Sequence, residues 1–363
     1  MWDNHDVTKD NDSTIKICSR AYWEFGPVRR PSADSLQIWR KVPYGPLADI
    51  IIVDDWVFQG DDTFPDGSRR MLPVEQYEWL MQQMDSSTAV WKIVPVSKLF
   101  AQWNLNGLVL PGGGLEHEWE GFPECRDSVL INIVNHHINN TVVGSGDLHI
   151  NIASDLALDP FDSTQYKGAT GQGGLGVEVN GISISRGNFD ESGYGKNLAY
   201  VLYYNSFLRN PHQRYLNFYD NGYAIMTFSR DSMISRMMLC PILALCDTQQ
   251  TDAVLYCRAG DNHWLRPDTI STGIGATSAD HPIAVYPNPS VSGLWTLRAD
   301  ASMKGAPIEV SSDDGQVVYR GTVSADVETK IDMSNVQGGV YFLRVSRDAT
   351  TYSTKLIRIG SYW

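Results

Sequence analysis

The sequence predicts an α/β (α+β) layered domain followed by a small all-β domain of immunoglobulin-like sandwich type. In the first part of the chain, apolar runs typical of buried strands alternate with segments of helical periodicity. After a stretch rich in Thr, Ser, Gly and Ala, short segments of alternating polarity follow one another at even spacing. We therefore expect a first domain over 1–266, a linker over 267–280 and a β-sandwich over 281–363.

The first domain is expected to follow the order strand, helix, strand, helix, strand. The expected elements are a strand over 50–53, a helix that begins at Pro73, a strand over 89–96, a helix from about 124 to 138 and a strand over 141–143. Residues 200–204 and 223–228 are expected to add two further strands. This alternation predicts a sheet with helices packed against it.

Composition limits the class of protein. The 363 residues are 42% hydrophobic and 20% charged, which indicates a globular chain with enough material for a core. The formal charge of -13 argues against a nucleic-acid or anionic-membrane binder, because no basic block compensates for it. No apolar run approaches the ~20 residues that a membrane helix requires.

Two short motifs carry candidate chemistry. Near the start of the chain, Asn4 offers an amide oxygen to a metal and the adjacent His5 could protonate an ester oxygen. In the middle of the chain, Asp147 and His149 lie two residues apart and therefore on the same side of an extended segment, where both could reach one ion. The second motif follows the expected strand over 141–143, and open α/β sheets bind ligands just beyond the carboxyl ends of their strands.

Several other segments invite a functional interpretation but support it less. His212 could be a further ligand, although a turn histidine is about as common. Asp10 and Asp12 are expected in a solvated acidic loop, and residues 116–118 (Glu-His-Glu) in an exposed polar one. Residues 171–176 satisfy G-x-G-x-x-G, but a strand-like segment follows where a nucleotide site requires a helix. We interpret that run as a loop.

From about residue 1 to residue 228 the chain carries the following blocks in order: Trp2-Asp3-Asn4-His5-Asp6, Tyr22-Trp23 through Val28-Arg29-Arg30-Pro31, Arg40 with Tyr44-Gly45, Val53-Asp54-Asp55, Arg70-Met71-Leu72 with Gln76 and Trp79-Leu80, Gly146-Asp147-Leu148-His149, Asn210-Pro211-His212 and Asn221-Gly222-Tyr223. In these blocks the chain resembles the PhoD-like alkaline phosphatases, a branch of the calcineurin-like metallophosphoesterase superfamily. The resemblance implies a metallophosphoesterase-type layered sandwich that hydrolyses phosphate mono- or diesters with a metal-bound hydroxide.

The resemblance also implies roles for individual residues. Asn4, Asp147 and His149 would be metal ligands, His5 the proton donor, and Asp3, Asp6 and His212 additional site residues. Two or more divalent or trivalent metal ions, iron and calcium among them, are implied as cofactors.

Two departures from the family pattern favour an alternative. The family's first metal-binding blocks lie upstream of Asn-His-Asp, so we expect this chain to be N-terminally incomplete. The family's arginines after Asp54-Asp55 are replaced by Trp56 and Gln59. The alternative is a catalytically incomplete or degenerate phosphatase-fold surface protein.

The last part of the chain carries three further blocks, namely Val285-Tyr286-Pro287-Asn288-Pro289, residues 339–345 (Gly-Val-Tyr-Phe-Leu-Arg-Val) and residues 354–357 (Thr-Lys-Leu-Ile). In these blocks residues 281–363 resemble the C-terminal sorting domain of the type IX secretion system. The resemblance implies the type IX machinery as a partner, and a secreted or cell-surface protein at the outer membrane of a Gram-negative bacterium. Such export requires a signal peptide, which the first residues do not resemble, so we expect that Met1 is not the true start.

Overall fold

The computed structural model describes the chain apart from residues 1, 3–5, 10, 27, 30–35, 108–109, 111–113, 185, 189–201, 204, 207, 219, 243–248, 266–282, 287–289, 291, 313–315, 325–327, 338, 348–349 and 359–363. The chain divides into two compact units, Met1–Ile270 and Ser271–Trp363. The boundaries 1–266, 267–280 and 281–363 stay a prediction, because residues 266–282 lie outside the described part.

A seven-stranded mixed sheet forms the centre of the first unit. Its strands are β1 (Arg40–Tyr44), β2 (Ala48–Ile52), β3 (Trp91–Pro95), β4 (Thr141–Ser145), β5 (Asn151–Leu156), β6 (Gly176–Asn180) and β7 (Gln213–Asn217). They lie in the order β1-β2-β3-β4-β6-β5-β7. β2, β3, β4 and β6 are parallel, whereas β1, β5 and β7 pair antiparallel to their neighbours. The carboxyl ends of the four parallel strands therefore meet at one edge, which we call the carboxyl edge.

Both faces of this sheet are covered. Helices α2 (Val74–Ser86) and α3 (Pro123–Asn135) pack on one face in a core with strand residues such as Val94 and Val143. A three-stranded sheet covers the other face, with Met233, Met237 and Leu255 packed against Val142. Its strands are β8 (Gly222–Phe228), β9 (Ser232–Leu239) and β10 (Gln250–Arg258). The first unit thus has a helical layer, a mixed sheet and a second sheet.

The strand and helix predictions for the centre of the first unit are confirmed, since β2, α2, β3, α3 and β4 occur in the expected order. The strand expected over 223–228 is β8. Two expectations are wrong. Asp12 begins a helix, α1 (Asp12–Phe25), instead of lying in a loop, because Asn11 caps it by accepting a hydrogen bond from the Thr14 N–H. Leu202 and Tyr203 are helical and not extended.

The glycine-rich run over 171–176 forms turns that lead directly into β6. Gly173 adopts a φ of 88°, and a Cβ on it would lie 1.9 Å from the carbonyl oxygen of Gln165. Tight backbone packing therefore explains this glycine, and no helix follows that could present its N-terminus to a phosphate. Among the helices in the described ranges, none has the length and apolar character needed to cross a membrane.

The second unit is built from strands packed around its own core. They are β11 (Ile283–Tyr286), β12 (Leu294–Ala299), β13 (Pro307–Ser312), β14 (Val317–Thr322), β15 (Glu328–Asp332), β16 (Gly339–Arg347) and β17 (Thr350–Arg358). They form two sheets, β11-β12-β15 and β14-β13-β16-β17, whose shared core includes Trp295, Ile308, Ile331 and Leu343. The all-β prediction is confirmed, while the immunoglobulin-like arrangement stays a prediction.

Candidate functional site

The Gly146–His149 turn lies at the carboxyl edge, directly after β4. Asp147 and His149 both adopt left-handed backbone conformations, with φ of 69° and 56°. Such conformations are uncommon outside glycine and persist where surrounding contacts enforce them. Here Asn180 Nδ2 donates to the Gly146 carbonyl oxygen at 2.7 Å, and the Gly146 N–H donates to the Ser97 carbonyl oxygen at 3.2 Å. The turn is therefore held from β6 and from the loop after β3.

The Asp147 carboxylate forms an ion pair inside this edge. Lys98 Nζ lies 2.6 Å from Asp147 Oδ1, and the exposed fractions of the two side chains are 2% and 18%. A lysine buried to this degree requires a charged partner. Lys98 Nζ also lies 5.0 Å from the centroid of the Trp56 ring, within range of a cation–π contact.

Three buried carboxyl groups hold the loop that carries Lys98. Asp55 accepts hydrogen bonds from the backbone N–H groups of Ser97 and Lys98, at 2.8 and 3.1 Å. Glu118 Oε2 accepts the Leu99 N–H at 2.5 Å. Glu178 accepts the N–H groups of residues 100 and 101, at 2.8 and 2.7 Å. Five consecutive backbone donors are thus paired with carboxyl oxygens, which fixes the position of the loop.

Burial changes the proton affinity of two of these acids, Glu118 and Glu178, and of the neighbouring Asp54. It raises the pKa of Glu118 well above its ordinary value, and the nearby Asp147 carboxylate, with which Glu118 shares a hydrogen bond, raises it further. Burial also raises the pKa of Glu178, against the opposing effect of the Ser145 hydroxyl and two backbone donors. For Asp54 burial raises the pKa to about 6, although Val57 and Trp56 donate backbone hydrogen bonds to it.

Of the residues predicted for the site, the structure brings Asp147 and His149 together in one turn, where His149 is half-buried. Asp3, Asn4 and His5 lie outside the described residues, and Asp6 is exposed.

The flanking residues Trp2 and Val7 are buried in one cluster with Val57, which follows Asp54-Asp55 in the chain. Trp56 Nε1 donates to the Val7 carbonyl oxygen at 2.7 Å, so the start of the chain packs beside the loop after β2.

His212 is not at the surface of the site. It is fully buried, and its Nε2 lies 2.8 Å from the Gln102 carbonyl oxygen. Burial lowers the pKa of His212 to about 4, so the ring is neutral at physiological pH. In the structure the contact between His212 and Gln102 connects the end of the loop after β3 with the segment that precedes β7.

The sequence patterns do not indicate Lys98, Glu118 or Glu178 as residues of this edge. The expectation that residues 116–118 form an exposed loop is wrong for Glu118, which is buried and bonded to the Leu99 N–H. Lys98 carried a weak signal, because it is a lone charged residue between two apolar runs, residues 93–96 and Leu99-Phe100-Ala101. Glu178 had no comparable signal, since it alternates with Val177 and Val179 like an outward-facing residue.

The described residues at this edge do not fit a metal centre on their own. Within the described ranges, no group of three or more His, Cys, Asp or Glu side chains is placed to hold a metal ion. The Asp147 carboxylate, one of the predicted ligands, is bonded to an ammonium group instead.

Comparison with known proteins agrees with the fold of the first unit. A family model described as PhoD-like phosphatase matches residues 2–237, and a second, described as Secretion system C-terminal sorting domain, matches residues 284–359. Alkaline phosphatase D from Bacillus subtilis (strain 168) is 30% identical over 216 residues, which cover 51% of this chain and 35% of that protein. A solved structure of PhoD superposes with a TM-score of 0.58 at 22% identity, covering 76% of this chain and 55% of that one.

The chain thus spans about a third of the length of the curated relative and about half of the solved PhoD chain. The structural likeness supports the fold, and the first family model covers more than half of the 363 residues. This protein belongs to the PhoD-like phosphatase family and carries a type IX secretion C-terminal sorting domain.

Proposed function

We propose that this chain is part of a secreted hydrolase of phosphoric mono- or diesters. Family membership supports the reaction class, and one observation in the structure supports its location. The Gly146–His149 turn holds two left-handed residues at the carboxyl edge, tied down from two neighbouring elements. Preorganisation of this kind is what an enzyme needs to orient a substrate, because the geometry is fixed before the substrate arrives.

The metal assignments remain predictions. The family implies two or more ions, iron and calcium among them, with Asn4, Asp147 and His149 as ligands and His5 as proton donor. When bound, such ions would supply a nucleophilic hydroxide and stabilise charge on the phosphoryl oxygens. What the described residues themselves contribute is orientation of His149, whose half-buried imidazole could bind an ester oxygen or transfer a proton.

Hydrolysis of bis(p-nitrophenyl) phosphate and p-nitrophenyl phosphate by the full chain, with Ca²⁺, Mn²⁺ or Fe³⁺ added, tests this function. We expect activity in the wild type and at least a hundredfold loss in His149→Ala, in line with the effect of removing a positioned acid or base. His137→Ala is the matched control. His137 is also a non-glycine residue in a left-handed conformation, with φ of 53°, but it precedes β4 at the opposite edge of the sheet.

Equal loss in both histidine variants would show a backbone effect and reject the role of His149. A wild-type chain that hydrolyses neither ester with any of these metals would reject activity of this chain. That result would support the alternative, a catalytically incomplete or degenerate phosphatase-fold surface protein. The ion pair between Lys98 and Asp147 favours this alternative, because it occupies one of the predicted metal ligands.

We further propose that the second unit directs the protein to the cell surface or the medium through the type IX machinery. The match to the sorting domain over residues 284–359 supports this location. The test is the full chain behind a cleavable signal peptide, expressed in a bacterium with type IX secretion and in a mutant lacking it. We expect export in the first strain and retention in the periplasm of the second. The same location in both strains would reject the proposal.

A further inference from the structure

The Lys98 side chain at the carboxyl edge has no part in the proposed hydrolysis. Its ammonium nitrogen lies 2.6 Å from Asp147 Oδ1 and its side chain is 2% exposed. We propose that Lys98 is the resident cation of this edge and takes, at the Asp147 carboxylate, the place that a metal ion would otherwise occupy. The proposal concerns the same turn as the proposed function but does not depend on ester hydrolysis.

The lysine is fixed at both ends. At its backbone, the Lys98 N–H donates to Asp55 Oδ2 at 3.1 Å, and the next N–H along the chain donates to Glu118. At its tip, the ammonium group contacts the Asp147 carboxylate and the face of the Trp56 ring. A lysine held in this way does not swing into solvent when another cation approaches, as an exposed one would.

A multivalent ion could reach Asp147 only by displacing this ammonium group or by lying beside it. Displacement would leave a buried positive charge without its partner, and a position beside it would bring two like charges together where the dielectric constant is low. Both routes weaken metal binding. Removing the positive charge of Lys98 has the opposite effect, because the Asp147 carboxylate is then left without a cation and hard metal ions prefer oxygen ligands.

Binding of Tb³⁺ alone, followed by its luminescence on tryptophan excitation, tests this. Trp119 and Trp56 lie beside the cluster, since Trp119 Nε1 donates to Asp55 Oδ2 at 3.1 Å and Trp56 faces Lys98. We expect the full-length Lys98→Gln variant to bind Tb³⁺ at least tenfold more tightly than the wild type. Asp147→Asn added to that variant should abolish the gain. Lys98→Met is a second variant, which removes the charge without introducing a side-chain hydrogen-bond donor.

Lys41→Gln is the matched control. Lys41 lies 3.7 Å from a carboxylate oxygen of Asp49 in the same sheet, but on β1 and β2 and away from the turn. We expect its Tb³⁺ affinity to equal that of the wild type. Equal gains in Lys41→Gln and Lys98→Gln would reject the proposal.

Two other outcomes would overturn it. One is a folded Lys98 variant, by far-ultraviolet circular dichroism, that gains no affinity. The other is wild-type binding of Tb³⁺ that Asp147→Asn abolishes, which would show that Asp147 already accepts a metal beside Lys98. This second measurement needs no Lys98 variant, so it can overturn the proposal even if both variants fail to fold. Because no ester is present, the result is separate from the hydrolysis assay.

Discussion

Replacing Asp54 by asparagine should stabilise the protein at neutral and alkaline pH. Asp54 is completely buried two residues after the end of β2, and its Oδ1 accepts backbone hydrogen bonds from Trp56 at 3.1 Å and Val57 at 3.0 Å. Asparagine has the same shape and keeps an oxygen in place to accept both bonds. What it removes is the negative charge, whose burial is costly.

The magnitude follows from the pKa of this carboxyl group. Burial raises the pKa of Asp54 from 3.8 to about 6, and one pKa unit corresponds to about 1.36 kcal/mol. A carboxyl group whose pKa is raised on folding contributes stability that is fully present below about pH 4 and is lost as the pH rises through 6. The charged form therefore costs the wild type about 3 kcal/mol above pH 7. The hydrogen bonds from Trp56 and Val57 are already included in this raised pKa, so we expect the uncharged amide to give a gain of about 3 kcal/mol.

Urea unfolding followed by tryptophan fluorescence, at pH 4 and pH 8, measures the effect. The free energy of unfolding of Asp54→Asn should exceed that of the wild type at pH 8, and the advantage should disappear at pH 4. Asp159→Asn is the matched control. Asp159 Oδ1 likewise accepts two backbone hydrogen bonds, from Phe161 and Asp162, but the Asp159 side chain is only half-buried. A variant less stable than the wild type at pH 8, or a difference that does not change with pH, would refute the reasoning.

Two further substitutions test how the structure holds the glycine loop and the turn. Gly173→Ala should lower the free energy of unfolding by about 1–3 kcal/mol more than Gly67→Ala. Both glycines adopt left-handed conformations, but only at Gly173 would the added Cβ lie against the Gln165 carbonyl oxygen. Urea unfolding of both variants checks this, and equal losses would contradict it. Asn180→Ala should cost about 1–3 kcal/mol and speed amide exchange over residues 145–149, because it removes the donor to the Gly146 carbonyl oxygen. Unchanged exchange there would show that Asn180 does not hold the turn.

The layered fold was largely predictable because its strands and helices follow local periodicity. β2, β3 and β4 are apolar segments buried between two layers, and α2 and α3 each present one apolar face to the sheet. The missed helix α1 had a weaker signal of the same kind. Its partly buried residues Ile15, Cys18 and Tyr22 recur at helical spacing, but its exposed apolar residues, Ile17 and Phe25, blur the pattern.

The site was predictable only where a contiguous motif defines it. The sequence identifies the turn that carries Asp147 and His149, because strand, turn and side chains lie next to one another. It does not identify the partner of Asp147, since Lys98 is 49 residues away and meets it only after β3 and β4 pair in parallel. Glu178 illustrates the same difficulty. Its alternation with Val177 and Val179 predicts a solvated face, yet it lies beside Val143 on the helical face of the sheet, where the loop after β3 binds its carboxyl group.

This difference matters for assigning chemistry from a motif. Gly-Asp-x-His predicts which side chains face a site, but the charge at the site depends on residues that approach from elsewhere in the fold. In this chain the Asp147 carboxylate meets an ammonium group held by the backbone contacts of its own loop. Metal use therefore has to be tested at Lys98 as well as at the motif, because either residue alone could determine whether a cation from solution binds at the turn.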